Sequence, residues 1–334
     1  MRTKPAAAAA LLALLGAVAA CGGGESEADQ RDDTTADLKI GAAPQRWGSL
    51  ASATLRRTEV GAARIGRFIY VVGGFLPSTE TTSAVERYDI RRDRWRRVAP
   101  MPVAVNHPAV AAHGGYLYVF GGYTDSSFAP VTGALQRFEP RSGAWTQLAN
   151  APRPRAAAAL VALRGRLYAI GGVAGEQQLD VVESFDPSSN SWSPEASMDV
   201  AREHLAATVA GGRIYAFGGR SPNLATVESF HPDAAQWRRE PSLRKERSGI
   251  AAVTVRGKPV VFGGEEEAGT IRPVELFDPD QRRWHRLPGM RTSRHGLGGA
   301  SLARRVYALQ GGPQPGFAFS SRIEFLDVPS RLLR

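Results

Sequence analysis

The sequence predicts an all-β fold made of six similar units, because two markers recur along it. Each unit has a run of apolar and β-branched residues that ends in a glycine pair, with Gly73, Gly121, Gly171, Gly218, Gly263 and Gly311 as the first glycines. A tryptophan precedes each pair at a span that is identical in five units and slightly longer in the sixth. The chain's six tryptophans, which all take part, are Trp47, Trp95, Trp145, Trp192, Trp237 and Trp284. A regular period of roughly 45–50 residues indicates stacked structural repeats.

Each unit reads as four short strands, with the second unit as the template. Strands are expected over 109–112, 116–120, 134–138 and 144–148, separated by turns and by one polar loop of variable length. Asp-Pro and related X-Pro pairs, which stop strands and start turns, recur after the third strand. Four antiparallel strands in a unit of this size are typical of a β-propeller blade. We therefore expect a six-bladed propeller over residues 44–334.

The unit also resembles the Kelch repeat. The resemblance rests on a glycine pair after an aromatic-rich strand, then the pattern V-E-x-F/Y-D-P, then tryptophan. Val182 to Pro187 and Val274 to Pro279 match that pattern fully, and Val85 to Asp89 matches it up to the proline. The match extends over roughly residues 46–327 and implies the Kelch propeller fold.

The two ends of the chain predict how the ring closes. The sixth glycine pair is followed by a third strand, Ile323 to Asp327, but by no tryptophan. Trp47 stands before the first unit with no glycine pair of its own. We therefore expect the strand around Trp47 to complete the last blade, which pairs an otherwise open sheet edge.

Composition excludes several classes of function. The net charge of +10 comes from basic residues spread through every repeat, unlike the concentrated stripe or tail of a nucleic-acid-binding protein. Cys21 is the only cysteine, so an intrachain disulfide and a metal site with two thiolates are excluded. No cofactor is predicted, and we expect a monomer.

The N-terminal segment predicts export. Residues 1–20 have a basic start, a short apolar stretch from Ala6 and small residues at the end, as in a secretory signal. Val18-Ala19-Ala20-Cys21 resembles the bacterial lipobox, which implies a lipid on Cys21 and a membrane anchor; the alternative is a plain signal peptide with an incidental cysteine. Residues 22–37 are polar, so 21–43 are interpreted as a lipidated cysteine and a flexible tether.

At the tenth position after each tryptophan, five of the six units have arginine. These are Arg57, Arg155, Arg202, Arg247 and Arg294, with Val105 in the second unit. In a closed propeller they are expected around one mouth of the central channel, where guanidinium groups bind acidic ligands. The alternative is structural: each pairs with a carboxylate of the neighbouring blade, for which Glu86, Glu183, Glu228, Glu275 and Glu324 are the candidates.

The next two positions differ between units, which makes them candidates for function. They include Glu59, Asn106, His107, Glu203, His204 and His295. If they converge, they offer an acid/base pair or a sugar-binding site; the alternative is that they are ordinary solvated polar residues. No metal site is predicted, because sequence does not show the ligand geometry that zinc requires. Glu265-Glu266-Glu267 is interpreted as a solvated acidic loop.

The sequence thus favours an exported, membrane-tethered module that binds a protein or an acidic glycan through this face. The alternative is a carbohydrate-active enzyme, since bacterial sialic-acid epimerases (mutarotases) are secreted six-bladed Kelch propellers. Its first candidates for catalysis are His204, Glu203 and Arg202. Galactose-oxidase-like copper chemistry is excluded, because it needs a cysteine cross-linked to a tyrosine. The only cysteine here, Cys21, belongs to the lipobox-like segment.

Overall fold

The computed structural model describes residues 46–220 and 222–334. These residues form six four-stranded antiparallel sheets, so the predicted six-bladed propeller is confirmed. Predictions for the signal peptide, Cys21 and the tether lie outside the described residues. Within the described ranges, no helix is both long enough and apolar enough to cross a bilayer.

The blades follow one another along the chain. Blade one consists of β2 (Gly61–Ile65), β3 (Phe68–Val72), β4 (Val85–Asp89) and β5 (Arg94–Val98). Blade two consists of β6 (Ala109–His113), β7 (Tyr116–Phe120), β8 (Leu135–Glu139) and β9 (Ala144–Leu148). Blade three consists of β10 (Ala159–Leu163), β11 (Arg166–Ile170), β14 (Val182–Asp186) and β15 (Ser191–Pro194). A small hairpin, β12 (Val173–Ala174) and β13 (Gln177–Gln178), extends the third blade's loop.

The later blades repeat this order. Blade four consists of β16 (Ala206–Ala210), β17 (Arg213–Phe217), β18 (Val227–His231) and β19 (Gln236–Glu240). Blade five consists of β20 (Ser248–Val255), β21 (Lys258–Glu266), β23 (Val274–Asp278) and β24 (Arg283–Leu287). Blade six consists of β25 (Gly298–Leu302), β26 (Arg305–Leu309), β27 (Ile323–Asp327) and β1 (Gly48–Leu50). The short strand β22 (Gly269–Thr270) pairs with β21, and the 3₁₀ turns are Pro232–Ala234 and Ser330–Leu332.

The closure of the ring by the N-terminal strand is confirmed. Strand β1 pairs antiparallel with β27, with Gly48 opposite Phe325 and Leu50 opposite Ile323. Trp47 is 4% exposed and packs in a cluster with residues of blades five and six. The last blade is therefore completed by the start of the propeller, which ties the two ends of the domain together.

The tryptophans join neighbouring blades. In every blade the indole N–H donates to a backbone carbonyl just after the preceding blade's tryptophan, at 2.7–3.0 Å. Trp95 donates to Ala51, and Trp47 completes the circle by donating to Pro288. A buried indole N–H needs such an acceptor, which explains why this residue recurs with the period.

The glycine pairs join the blades at a smaller radius. In each pair, the N–H of the second residue donates to a backbone carbonyl of the next blade, at the tenth residue after that blade's tryptophan. Gly74 donates to Val105 in this way, and Gly311 completes the circle by donating to Arg57. Gly73 has a φ of +63°, and a Cβ there would lie 2.3 Å from the Val105 carbonyl oxygen. The pairs are thus close backbone contacts, as predicted from glycine at a strand end.

The sixth pair is one position out of register with the prediction. Gln310, with a φ of +53°, takes the place of the first glycine, and Gly311 takes the place of the second. This accounts for the one longer span, because Trp284 and Gln310 are separated by the same interval as Trp47 and Gly73. The Gln310 side chain donates to the Leu55 carbonyl and to Glu86, so it has a local role that glycine lacks.

Candidate functional site at one mouth of the channel

A closed ring of six peptide groups forms one mouth of the central channel. The twelfth residue after each tryptophan belongs to this ring. In blades two to six, the backbone N–H of that residue donates to the backbone carbonyl of the equivalent residue in the preceding blade, at 2.9–3.1 Å. The ring runs through Glu59, His107, Ala157, His204, Gly249 and Gly296, and Val60 closes it by donating to Gly296 at 3.2 Å. Residues that are far apart in sequence are thereby held side by side.

The ring imposes a left-handed backbone on all six positions, with φ between +51° and +62°. This conformation suits Gly249 and Gly296, but it costs a residue with a Cβ about 1–2 kcal/mol. Glu59, His107, Ala157 and His204 have a Cβ there nevertheless. Backbone strain of this kind concentrates at functional sites, so the three polar residues among them are the first candidates.

Glu59 lies at the centre of the side-chain cluster. Its Oε2 is 3.2 Å from His107 Nε2, and its Oε1 is 3.1 Å from His295 Nδ1. The rings of His107 and His204 are 4.8 Å apart, centroid to centroid. Glu59, His107 and His204 each offer one ligand atom, and these atoms lie within 4.8 Å of one another. The structure therefore brings together candidates from blades one, two, four and six.

Two residues that the sequence reasoning missed complete the cluster. Arg220 donates to Glu203 Oε1 at 2.7 Å and Glu265 Oε1 at 3.2 Å, and its NH2 group is 3.2 Å from His204 Nε2. The interpretation of Glu265 as solvated is wrong, because it is only 9% exposed. Both lie at the second position after a first glycine, where the other blades include Phe75 and Tyr123. Comparing blades at that position as well would have revealed them.

The imidazoles are oriented by neighbours outside the centre. Asn106 donates through Nδ2 to Thr81 Oγ1 and to the Asp125 carbonyl, so its Oδ1 faces His107 Nδ1 at 2.6 Å. Glu203 Oε2 makes a short contact with His204 Nδ1. In both histidines Nδ1 thus has an acceptor, and Nε2 faces the cluster.

Burial and charge shift the proton affinities in opposite directions. Burial lowers the pKa of His107 to about 3, although Glu59 opposes the shift. Burial also tends to lower the pKa of His295, but the hydrogen bond and charge of Glu59 outweigh it and raise that pKa. For Glu59 itself, burial is outweighed by His107 and His295, which lower the pKa. Burial thus disfavours the protonated form of His107, whereas the ionised form of Glu59 beside it is favoured.

Exposed aromatic rings border the cluster. Phe128 and Phe317 are 45% and 47% exposed, and they are the exposed large hydrophobic residues of the described chain. Both pack on the buried ring of Phe75, with centroids 5.8 and 5.1 Å apart. With the charged groups they line a cavity of about 410 Å³, its open entrance included. Apolar walls with a few converging polar groups are typical of ligand sites.

The five arginines lie behind this surface rather than on it. Each is 0% exposed, and each pairs with a glutamate of its own blade at 2.5–3.1 Å. The pairs are Arg57–Glu86, Arg155–Glu183, Arg202–Glu228, Arg247–Glu275 and Arg294–Glu324. Pairing with a neighbouring blade is therefore wrong for all five. Because these guanidinium groups have no exposed surface, we leave them, including the catalytic candidate Arg202, out of the proposed site.

The six sheets and their closed rings of hydrogen bonds define a β-propeller with a polar, aromatic-rimmed mouth. A family model of the KLHDC2/KLHL20/DRC7 Kelch-repeats domain matches residues 59–239, which is more than half of the chain. A Kelch motif model matches residues 246–291. The chain therefore belongs to the Kelch-repeat family.

Individual relatives share parts of the propeller. Kelch-like protein terF of Aspergillus terreus is 37% identical over 101 residues, 27% of this chain and 22% of its own length. Mouse Kelch-like protein 38 is 51% identical over 55 residues, 16% of this chain and 10% of its own length. The chain thus matches only a small part of these curated relatives. A solved structure of YjhT has a TM-score of 0.72 at 16% identity, covering 82% of this chain and 95% of that chain, which shows the shared fold.

Proposed function

We propose that this Kelch propeller is a binding module that takes a sugar unit of a glycan into the mouth formed by Glu59, His107, His204, Arg220 and the Phe128/Phe317 rim. One observation carries the proposal: hydrogen-bond donors and hydrogen-bond acceptors converge beside two exposed aromatic rings. Carboxylate, imidazole and guanidinium groups bind sugar hydroxyls, and aromatic faces pack against the C–H face of a sugar ring.

The charge of the mouth favours a neutral or amino sugar over the acidic glycan expected from sequence. That expectation rested on the five arginines, which are buried and paired. The mouth itself contains the carboxylates of Glu59, Glu203 and Glu265 against the guanidinium of Arg220 and the imidazole of His295. An acidic ligand would be repelled by this excess of carboxylates.

A glycan array followed by calorimetry tests the proposal. We expect Phe128→Ala and Phe317→Ala each to weaken binding about two- to tenfold, which corresponds to about 0.5–1.5 kcal/mol for an aromatic contact. Tyr116→Ala is the matched control, since this half-buried tyrosine is the first residue of β7 and does not line the mouth. Binding that is indifferent to both phenylalanines, or equally sensitive to Tyr116, would count against the mouth as the site.

A second candidate is an enzyme that catalyses proton transfer on a sugar, of the epimerase or mutarotase type. It is favoured by the neighbouring acid and base groups with divergent pKa values, Glu59, His107 and His295. NMR measurement of sugar mutarotation, with N-acetylneuraminate among the substrates, tests it. A rate above background that His204→Ala abolishes would support the enzyme, and a wild-type rate equal to background would remove it.

We further propose that Cys21 is lipidated and that the propeller is tethered to the outer side of a bacterial membrane. The support is the lipobox-like sequence before the only cysteine. Detergent phase partitioning tests this, with Cys21→Ser expected to move the protein into the aqueous phase. Wild-type protein in the aqueous phase would contradict the anchor.

A further inference from the structure

We infer that Glu59, His107 and His204 form a binding site for a divalent transition metal, with Zn²⁺ as the reference ion. The three residues come from different blades, and the ring of peptide groups fixes their backbones around one point. Each offers one ligand atom, all within 4.8 Å of one another. This inference goes beyond the proposed glycan binding and does not depend on it.

His107 faces Glu59 through its Nε2 atom. Because Asn106 Oδ1 faces His107 Nδ1, that nitrogen carries a proton, and Nε2 is the ring nitrogen directed at the cluster. Nε2 is 3.2 Å from Glu59 Oε2, which is also an acceptor. Two buried acceptors facing each other need a cation between them. A metal ion or a proton meets this need, and Zn²⁺ titration separates the two.

His204 is oriented by a neighbouring carboxylate in the same way. Its Nδ1 lies against the carboxylate of Glu203, so Nε2 has the lone pair that faces the cluster. Metal-binding histidines usually donate their other ring nitrogen to a carboxylate or carbonyl in this way. His107 with Asn106 and His204 with Glu203 both show this arrangement.

Arg220 is the group that has to give way. Its NH2 group, 3.2 Å from His204 Nε2, occupies the lone pair that the metal would take. The Arg220 side chain is 39% exposed, and it is also held by Glu203 and Glu265. Exchange of one weak contact therefore opens the site while Arg220 keeps its two carboxylate partners.

Two imidazole nitrogens and one carboxylate oxygen match the ligand set of catalytic zinc sites, which keep a fourth position open. Zinc–ligand bonds of about 2.0 Å place ligand atoms about 3.3 Å apart in a tetrahedron. His107 Nε2 and Glu59 Oε2 are already 3.2 Å apart, so only the wider separations, of at most 4.8 Å, need to shorten, by up to about 1.5 Å. The cavity beside the Phe128/Phe317 rim contains the open side of the cluster.

The test uses the full chain after removal of metal with a chelator. Calorimetry with Zn²⁺ and elemental analysis measure affinity and stoichiometry, and Co²⁺ absorption in the visible range reports tetrahedral coordination. We expect one ion per chain. We expect His107→Ala, His204→Ala and Glu59→Gln each to weaken binding roughly 100-fold or more, since even outer-shell changes cost about 10–100-fold.

Matched controls use other residues of the same types. His113→Ala, at the far end of β6 from the mouth, and His285→Ala, on β24, should leave Zn²⁺ affinity unchanged. Arg220→Gln should raise the Zn²⁺ affinity, because the cation that competes for His204 Nε2 is removed. Circular dichroism of each variant checks the fold, and Glu59→Gln keeps the shape of the side chain if an alanine variant misfolds.

Three results would overturn the inference: no saturable Zn²⁺ binding, binding equal in wild type and Glu59→Gln, or loss of binding in His113→Ala. In the first case the His107–Glu59 pair is bridged by a proton. Glycan binding is measured separately in excess chelator. Binding that persists there would leave the proposed function intact while the metal site failed.

Discussion

Two rings of polar side chains lie close together in this propeller, and they differ in almost every respect. The arginine ring repeats one residue type in five blades, and each arginine pairs with a glutamate of its own blade. The mouth cluster uses different residues in each blade, and its contacts cross between blades, as from Glu59 to His107 and to His295. Repetition thus marks the residues that build a blade, whereas variation marks the residues that meet at the mouth.

Blade two shows why the arginine ring is structural. Where the other blades have arginine it has Val105, and where they have glutamate it has Gln136. Gln136 Oε1 accepts from the Val103 N–H at 2.9 Å. In blade five Glu275 likewise accepts from the Arg244 N–H, besides pairing with Arg247. Both charges are absent together, as expected if a buried charge is tolerated only with its partner.

The largest effect is expected when one partner of a buried pair is removed. Arg247→Ala leaves Glu275 charged and buried, and it should lower the free energy of unfolding by about 3–5 kcal/mol. Chemical denaturation measures this change. His204→Ala, from the mouth cluster, serves as the comparison and should lower the free energy of unfolding far less. If Arg247→Ala destabilised the protein less than His204→Ala, the arginine ring would not be the structural one of the two.

A smaller effect is expected when both charges are removed together. The double variant Arg247→Val with Glu275→Gln copies blade two, and the amide keeps the acceptor for the Arg244 N–H. Its destabilisation should fall to about 1–2 kcal/mol, because no unpaired charge remains. Denaturation curves of both single variants complete the cycle. Additive effects of the two substitutions would show that the pair has no coupling.

The smallest effect concerns the left-handed positions of the mouth. Ala157→Gly should stabilise the fold by about 0.5 kcal/mol, since relief of strain exceeds the added freedom of the unfolded chain. His107→Gly should relieve the same strain but abolish ligand and metal binding. Melting temperatures and binding constants measured on the same samples test this. If Ala157→Gly also abolishes binding, the ring backbone rather than its side chains determines the site.

Much of the fold was predictable because it depends on local, repeated features. The Trp-to-glycine span is constant since the tryptophan and the second residue of the pair both make bonds between adjacent blades. The unmatched Trp47 therefore predicted the closure by β1 correctly. Gln310 was missed because its left-handed backbone gives no signal in the residue type.

The period, the number of blades, the closing strand and the positions where blades differ all follow from the order of residues along the chain. Which of those positions meet depends on how the blades pack around the channel. Arg202 and Glu203 are neighbours in sequence, yet one is buried against Glu228 and the other holds His204 at the mouth. Likewise, His107 in blade two and His295 in blade six are far apart in sequence and share Glu59. The physical reason is the closed ring of hydrogen bonds, which fixes the backbone direction at each position and brings distant blades into contact.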